Sequence, residues 1–229
     1  MIDAALRRKL DRPLTAIARA LDRPWISPDR LTAAGLVVGV SSAGAAAMQW
    51  WALALVLWLA SRMLDGLDGS LARVRRADEA ASAADASAAT GATSASSASG
   101  VQPASEAGGY LDIVCDFVVY GSMVFGVAVG VTNGFEAPWW PFMLVLLAYY
   151  VNGAAFLAFS SIAERTGRAI DDGRSLSFLG RIAEGTETIV VHSLWLIVPV
   201  FAWQLAVVWG LFVAVSAVQR IVVGYRSLR

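Results

Sequence analysis

The sequence predicts an all-α, polytopic membrane protein with six transmembrane helices and an N-terminal helix lying in the interface. Three observations carry that prediction. Hydrophobic residues make up 57% of the 229 positions, above the roughly 45–50% apolar share of soluble domains. Apolar stretches fall near 31–49, 50–73, 109–131, 138–161, 183–201 and 204–223, and about 20 helical residues suffice to cross a bilayer core. The basic residues gather on alternate connections: Arg7, Arg8, Lys9, Arg12, Arg19, Arg23 and Arg30 before the first span, Arg73, Arg75 and Arg76 after the second, Arg165, Arg168, Arg174 and Arg181 after the fourth, and Arg220, Arg226 and Arg229 at the end. Basic residues are retained on the cytoplasmic side, so both termini and the charged end of the second span are expected there.

Residues 1–30 form the first element. Leu6, Leu10, Leu14, Ile17 and Leu21 recur at spacings of three and four between basic residues, the pattern of a helix lying in the membrane interface. Pro13 breaks or kinks it, and an ordinary basic flank with chance periodicity is the plainer alternative. The chain opens on the polar MIDAALRRKLDRPL, so no cleavable leader is expected.

The later breaks carry turn chemistry: MQWW between the first two spans, TNGFEAP after the third, ERTGRAIDDGR after the fourth and PVFAWQ before the last. The fifth and sixth spans are the least sharply separated. Between the second and third, residues 77–107 are almost entirely Ala, Ser, Thr and Gly, with Val101 the one large apolar residue. Such a segment buries too little surface to offset its ordering entropy, and a disordered cytoplasmic insertion is expected. The whole of 1–229 reads as one membrane domain. Cys115 is the single cysteine, so no internal disulfide forms; 18 basic and 18 acidic residues cancel, which says nothing about partners. No nucleic-acid partner is expected.

The chemistry lies where charges interrupt an apolar span. A charged side chain near the bilayer centre costs at least about 2.5 kcal/mol on insertion scales and is usually functional. In SRMLDGLDGSLAR, Asp65, Asp68, Gly69, Ala72 and Arg73 fall at helical spacing on one face. After the insertion, GGYLDIVCDF places Gly108, Asp112 and Asp116 four apart, again on one face. Two helices therefore present four carboxylates at one membrane depth. Such a group stays ionised only with cations, and oxygen-only ligands suit Mg2+, Mn2+ or Ca2+. Gly66 and Gly69 remove side chains beside the acids, while Arg62 and Arg73 offer charge to a phosphate. Carboxylates, divalent ions, glycines and arginines together describe a diphosphate site.

These residues resemble the signature of the CDP-alcohol phosphotransferase (CDP-alcohol phosphatidyltransferase) family, Asp-x-x-Asp-Gly-x-x-Ala-Arg followed by Gly-x-x-x-Asp-x-x-x-Asp. Every fixed position is met by Asp65, Asp68, Gly69, Ala72, Arg73, Gly108, Asp112 and Asp116. The lead-in SPDRLT and the six-span pattern are similar too. The departure is length: 34 residues separate Arg73 from Gly108 where the family has a short spacer. Closing the longer loop costs only about 1 kcal/mol, so the site survives it.

The resemblance implies transfer of a substituted phosphoryl group, favoured here as phosphatidyl from CDP-diacylglycerol, to a polar alcohol with release of CMP, in phospholipid biosynthesis. By that resemblance Asp65, Asp68, Asp112 and Asp116 hold two Mg2+ or Mn2+ ions, and Asp116 also takes the proton of the attacking hydroxyl. Asp65, Gly66, Asp68, Gly69, Ala72, Arg73 and Gly108 contact the CDP donor. Glu184, Glu187 and Arg62 are candidates for the acceptor; the two glutamates share a helical face and alternatively pair with nearby arginines. A homodimer in a bacterial inner membrane, with its active site cytoplasmic, completes the implication. A divalent-cation transporter or channel would also use intramembrane aspartates, but has no use for Gly69, Ala72 and Arg73 on the same stripe. His192 and Cys115 read as packed core residues.

Overall fold

In a computed structural model of the chain, residues 15–17, 19–20, 22–23, 26–90, 106–166 and 185–229 are described. Among them every regular element is helical: α1 Pro28–Ala47, α2 Trp51–Thr90, α3 Glu106–Phe135, α4 Trp140–Arg165, α5 Gly185–Ile197, a 3-10 turn Pro199–Phe201, and α6 Ala202–Leu228. Most of the expected interfacial helix lies outside the described residues; 15–17 and 19–20 are helical.

The lead-in SPDRLT starts α1 by side-chain capping. The Arg30 backbone N–H donates to Ser27 Oγ at 3.2 Å, and Pro28 occupies a first-turn position where no N–H is needed. The MQWW break is a left-handed C-terminal cap. Gln49 has φ 64°, its N–H donates to Ala46 O at 2.9 Å, and the Trp50 N–H donates to Ala45 O at 2.8 Å.

Helix α2 differs from the expectation. It continues through residues 77–90, where the sequence reading places the start of a disordered insertion, for a total of 40 residues. At about 1.5 Å per residue it is about 60 Å long, twice the roughly 30 Å bilayer core. The reason is local: residues 77–90 are alanine-rich, alanine is the best helix former, and the preceding span has already met the cost of nucleation. Residues 91–105 of the insertion lie outside the described residues, and Glu106 and Ala107 already belong to α3.

Helix α1 packs along α2 and α3, α4 along α6, and α5 against α2. Small residues permit the α1–α3 contact. A Cβ on Gly126 or Gly130 would meet the carbonyl oxygens of Ala43 and Ala46, and one on Gly39 would lie 2.8 Å from Ser61 Oγ. Close backbone approach through small residues is how helices associate where lipid removes the hydrophobic drive. Trp58, Met123, Phe142, His192 and Trp195 fill the interior and are fully buried, while Val37, Val56, Phe125, Leu147, Val208 and Val218 face outward.

Four helical stretches are long and apolar enough to cross a membrane: Pro28–Ala47, Ala107–Phe135, Trp140–Arg165 and Pro199–Leu228. The other two expected spans are less plain: α2 carries Arg62, Asp65 and Asp68 within its apolar part, and the described residues of α5 number 13 and begin at Gly185.

Candidate active site

Antiparallel placement of α2 and α3 brings the two acidic motifs face to face. Carboxylate oxygens of Asp65, Asp68 and Asp112 all lie within 4.8 Å of one another. Residues i and i+3 share a helix face, which is why Asp65 and Asp68 meet Asp112 together. Three carboxylates and no softer donor form a set suited to a hard divalent cation, so these residues fit the expected metal.

Asp68 is buried and held at both oxygens. Thr32 Oγ1, from α1, donates to Oδ2 at 2.5 Å, and the Gly69 backbone N–H donates to Oδ1 at 2.5 Å. Each oxygen keeps a further lone pair for a cation. Thr32 is a site residue that sequence reasoning missed. Its signal is the lead-in to the first span, SPDRLT, of which Thr32 is the last residue.

Asp116 does not join the three. Its Oδ1 accepts from Arg62 Nη1 at 2.6 Å, and the same Nη1 lies 3.8 Å from Asp65 Oδ1. Arg62, expected to contact an acceptor, is turned into the protein, its side chain 6% exposed against 36% for Asp116. Arg62 Nη2 donates to Ser61 Oγ at 3.1 Å, and that hydroxyl donates to Gly35 O at 2.7 Å. The guanidinium lies over Trp58 and Tyr120, 5.3 and 4.9 Å from their ring centroids. Sequence reasoning identified Arg62 but not the aromatic pair, because the register between α2 and α3 decides it.

The remaining motif residues follow α2 away from the acids. Gly66 O accepts from Ser70 Oγ at 2.9 Å, and Arg73 Nη2 donates to Ser70 Oγ at 3.0 Å. A Cβ on Gly69 would stand 3.6 Å from Arg73 Nη1. Ala72 is half-buried and Arg73 exposed, and Gly108 sits in the first turn of α3. Arg75, read as a retention charge, also ties the N-terminal segment down, donating from Nη2 to Asp22 Oδ1 and Ile26 O, each at 2.7 Å.

On its other side Asp116 forms part of the wall of a cavity of about 640 Å³ between α3, α4, α5 and α6. Phe117, Tyr120, Leu146, Tyr150, Phe156 and Leu157 give it an apolar lining, with Tyr149, Asn152, Thr188 and Arg220 as polar exceptions. Glu187 lies in the first turn of α5 outside that lining, with Oε2 buried and without a hydrogen-bond partner among the described residues. Glu184 lies outside the described residues. His192 is packed as the sequence suggests: Nε2 and Tyr149 OH are 3.0 Å apart, and the ring stacks on Trp195 at 4.6 Å. Cys115 is buried.

A family model described as CDP-alcohol phosphatidyltransferase matches residues 25–81, which include Thr32, Arg62 and the first acidic motif. The inner membrane protein YnjF of Escherichia coli K12 is 33% identical over 235 residues, covering 100% of this chain and 98% of its own. The archaetidylinositol phosphate synthase of Pyrococcus horikoshii is 28% identical over 125 residues, 55% of this chain and 53% of that protein. The Mycobacterium tuberculosis phosphatidylinositol phosphate synthase, in complex with manganese and citrate, has the same fold at a TM-score of 0.59 and 21% identity, covering 94% of this chain and 88% of that one. With CDP-DAG bound, that protein matches at a TM-score of 0.57 and 19% identity, covering 95% and 92%.

Proposed function

The chain belongs to the CDP-alcohol phosphatidyltransferase family, and on that premise we propose that it transfers a phosphatidyl group from CDP-diacylglycerol to the hydroxyl of a polar alcohol and releases CMP. The observation that carries this reading is the meeting of Asp65, Asp68 and Asp112 within 4.8 Å, with Asp116 beside them on a cavity wall.

A divalent ion held by Asp65, Asp68 and Asp112, one of the two that the family resemblance implies for these three and Asp116, would supply positive charge for the donor diphosphate and the departing CMP. The manganese of the mycobacterial relative supports Mn2+ or Mg2+ as that ion. The chain's own residues do the rest. Thr32 and the Gly69 N–H orient Asp68. Gly66, Gly69 and Ala72 leave the α2 surface low enough for a nucleotide, and Gly108 does the same at the start of α3. Arg73 offers its guanidinium to the diphosphate. Asp116 takes the proton from the acceptor hydroxyl as that oxygen attacks phosphorus, the work of a positioned general base. The apolar lining beside it suits the hydrocarbon part of a lipid donor, in keeping with the CDP-DAG bound to the mycobacterial protein. Glu184 and Glu187 are the proposed acceptor contacts.

The arginine distribution supports six crossings, both termini and the acidic site facing the cytoplasm, and a bacterial inner membrane as the location. Self-association through the later helices is proposed from the family resemblance. The function is tested by measuring CMP released from CDP-diacylglycerol with Mn2+ or Mg2+ against glycerol phosphate, inositol, inositol phosphate and serine. One acceptor is expected to raise release well above the acceptor-free rate. No release with any of them, from folded protein, contradicts the reading.

A further inference from the structure

Asn152 lies midway along α4, a helix long and apolar enough to cross the membrane. Between Trp140 and Phe159 the only other polar side chains are Tyr149 and Tyr150. An amide at that depth is expensive and usually functional. Its Oδ1 is buried and has no hydrogen-bond partner among the described residues, although the residue forms part of the wall of the cavity that holds Asp116. We propose that Asn152 reads the acceptor: its amide hydrogen-bonds a hydroxyl other than the one that attacks, so that the acceptor is a polyol. This rests on the reading of the site as a phosphatidyltransferase with Asp116 as its base.

The contact between α3 and α4 brings the two residues to one part of the cavity. A Cβ on Gly153 would lie 2.5 Å from Phe117 Cε1, so the chain neighbour of Asn152 packs on the chain neighbour of Asp116. Residues three apart share a helix face, and Tyr149 fixes the face that carries Asn152. The Tyr149 hydroxyl accepts from Trp209 Nε1 at 2.7 Å and stands 3.0 Å from His192 Nε2, and both of those side chains are buried. Tyr149, Asn152 and Thr188 thus give the cavity three uncharged hydrogen-bonding groups from α4 and α5. A side-chain amide offers two donors and an acceptor, so it pairs with a hydroxyl in either sense. Among the described residues Asp116 is the only carboxylate in the lining, and it is engaged with the attacking hydroxyl. The ammonium of serine therefore finds no anion there, whereas a second hydroxyl finds Asn152. A polyol bound in this way relieves the unpaired buried oxygen, which is costly when left alone. The apolar part of the lining remains for the lipid donor.

The test is the kinetics of CMP release by the full chain in proteoliposomes with CDP-diacylglycerol and Mn2+. Glycerol phosphate, inositol, inositol phosphate and serine are compared first, and then monodeoxy analogues of the acceptor used fastest. A polyol is expected to be that acceptor. On wild-type protein at least one analogue that keeps the attacking hydroxyl should lose about 10–100-fold in kcat/KM, the effect of leaving a buried group unpaired. Asn152→Leu is close in size and should raise the KM for the polyol by a similar factor, with kcat, the KM for CDP-diacylglycerol and the Mn2+ requirement little changed. The variant should also no longer distinguish that analogue from its parent. Preference for serine overturns the proposal, and so do analogues that all react like the parent on wild-type protein, a comparison that needs no substitution and stands even where the variant does not fold. An unchanged acceptor KM in folded Asn152→Leu, or a rise confined to the KM for CDP-diacylglycerol, overturns it as well. Absence of CMP release from folded wild-type protein with every acceptor overturns the proposed function itself, and this proposal with it.

Discussion

Thr32 Oγ1 donates a 2.5 Å hydrogen bond to Asp68 Oδ2, joining the first turn of α1 to the acidic motif of α2. Both residues are buried. Groups that orient a metal ligand typically change affinity by about 10–100-fold when removed. Thr32→Val keeps the shape and loses the hydroxyl. It should raise the Mn2+ concentration needed for half-maximal activity by about that factor, with little change in the rate at saturating Mn2+; an unchanged Mn2+ requirement would detach Thr32 from the site.

On the proposed reading Asp116 takes the acceptor proton, whereas Asp65, Asp68 and Asp112 hold the ion. Asp116→Asn preserves size but removes the base, so turnover should fall by about 100-fold or more while Mn2+ affinity at Asp65, Asp68 and Asp112 changes little. Asp65→Asn should weaken Mn2+ and CDP-donor binding as well as rate. Titration of each variant with Mn2+, alongside CMP release, makes the comparison. Near-normal turnover of folded Asp116→Asn protein removes Asp116 from its role.

The α1–α3 contact predicts opposite outcomes for two glycines. A Cβ on Gly130 meets the Ala46 carbonyl oxygen, whereas one on Gly44 has nothing within 4 Å. Gly130→Ala should cost about 1–3 kcal/mol through overpacking. Gly44→Ala should be neutral or stabilising by up to about 1 kcal/mol from helix propensity. Thermal denaturation in one detergent compares them directly.

The distal part of α2 is expected to be dispensable. Residues 76–82 are exposed and contribute nothing to the apolar interior. Deleting residues 78–103 should leave a folded protein with CMP release within about twofold of the full chain, since the shorter connection costs no closure entropy. Loss of activity with preserved thermal stability would make the segment part of the site.

Much of this arrangement is legible in the sequence because helix periodicity alone puts Asp65 with Asp68 and Asp112 with Asp116 on shared faces. What periodicity leaves open is how two helices are set against each other. The register between α2 and α3 gathers Asp65, Asp68 and Asp112 and turns Asp116 toward Arg62, and no spacing within either motif encodes that choice. Thr32 was hidden for the same reason, since it reaches Asp68 from a third helix. The length of α2 is not legible from composition: low complexity suggests disorder, but a run dominated by alanine continues a helix already nucleated by an apolar span through Thr90. The C-terminal end of α5 at Ile197 follows from Pro199 just beyond it, a residue that punctuates helices.

Metal-dependent transfer from a CDP-linked lipid at the Asp65–Asp68–Asp112 cluster can be measured with the purified chain in proteoliposomes containing CDP-diacylglycerol. CMP release is followed with the acceptor panel, with Mn2+ present, after removal by chelator and after its return. Acceptor-dependent CMP release should stop on chelation, resume with Mn2+, and be lost in Asp65→Asn protein. Mn2+ uptake into the vesicle lumen without CMP release under any of these conditions would contradict it and identify the aspartates as an ion path.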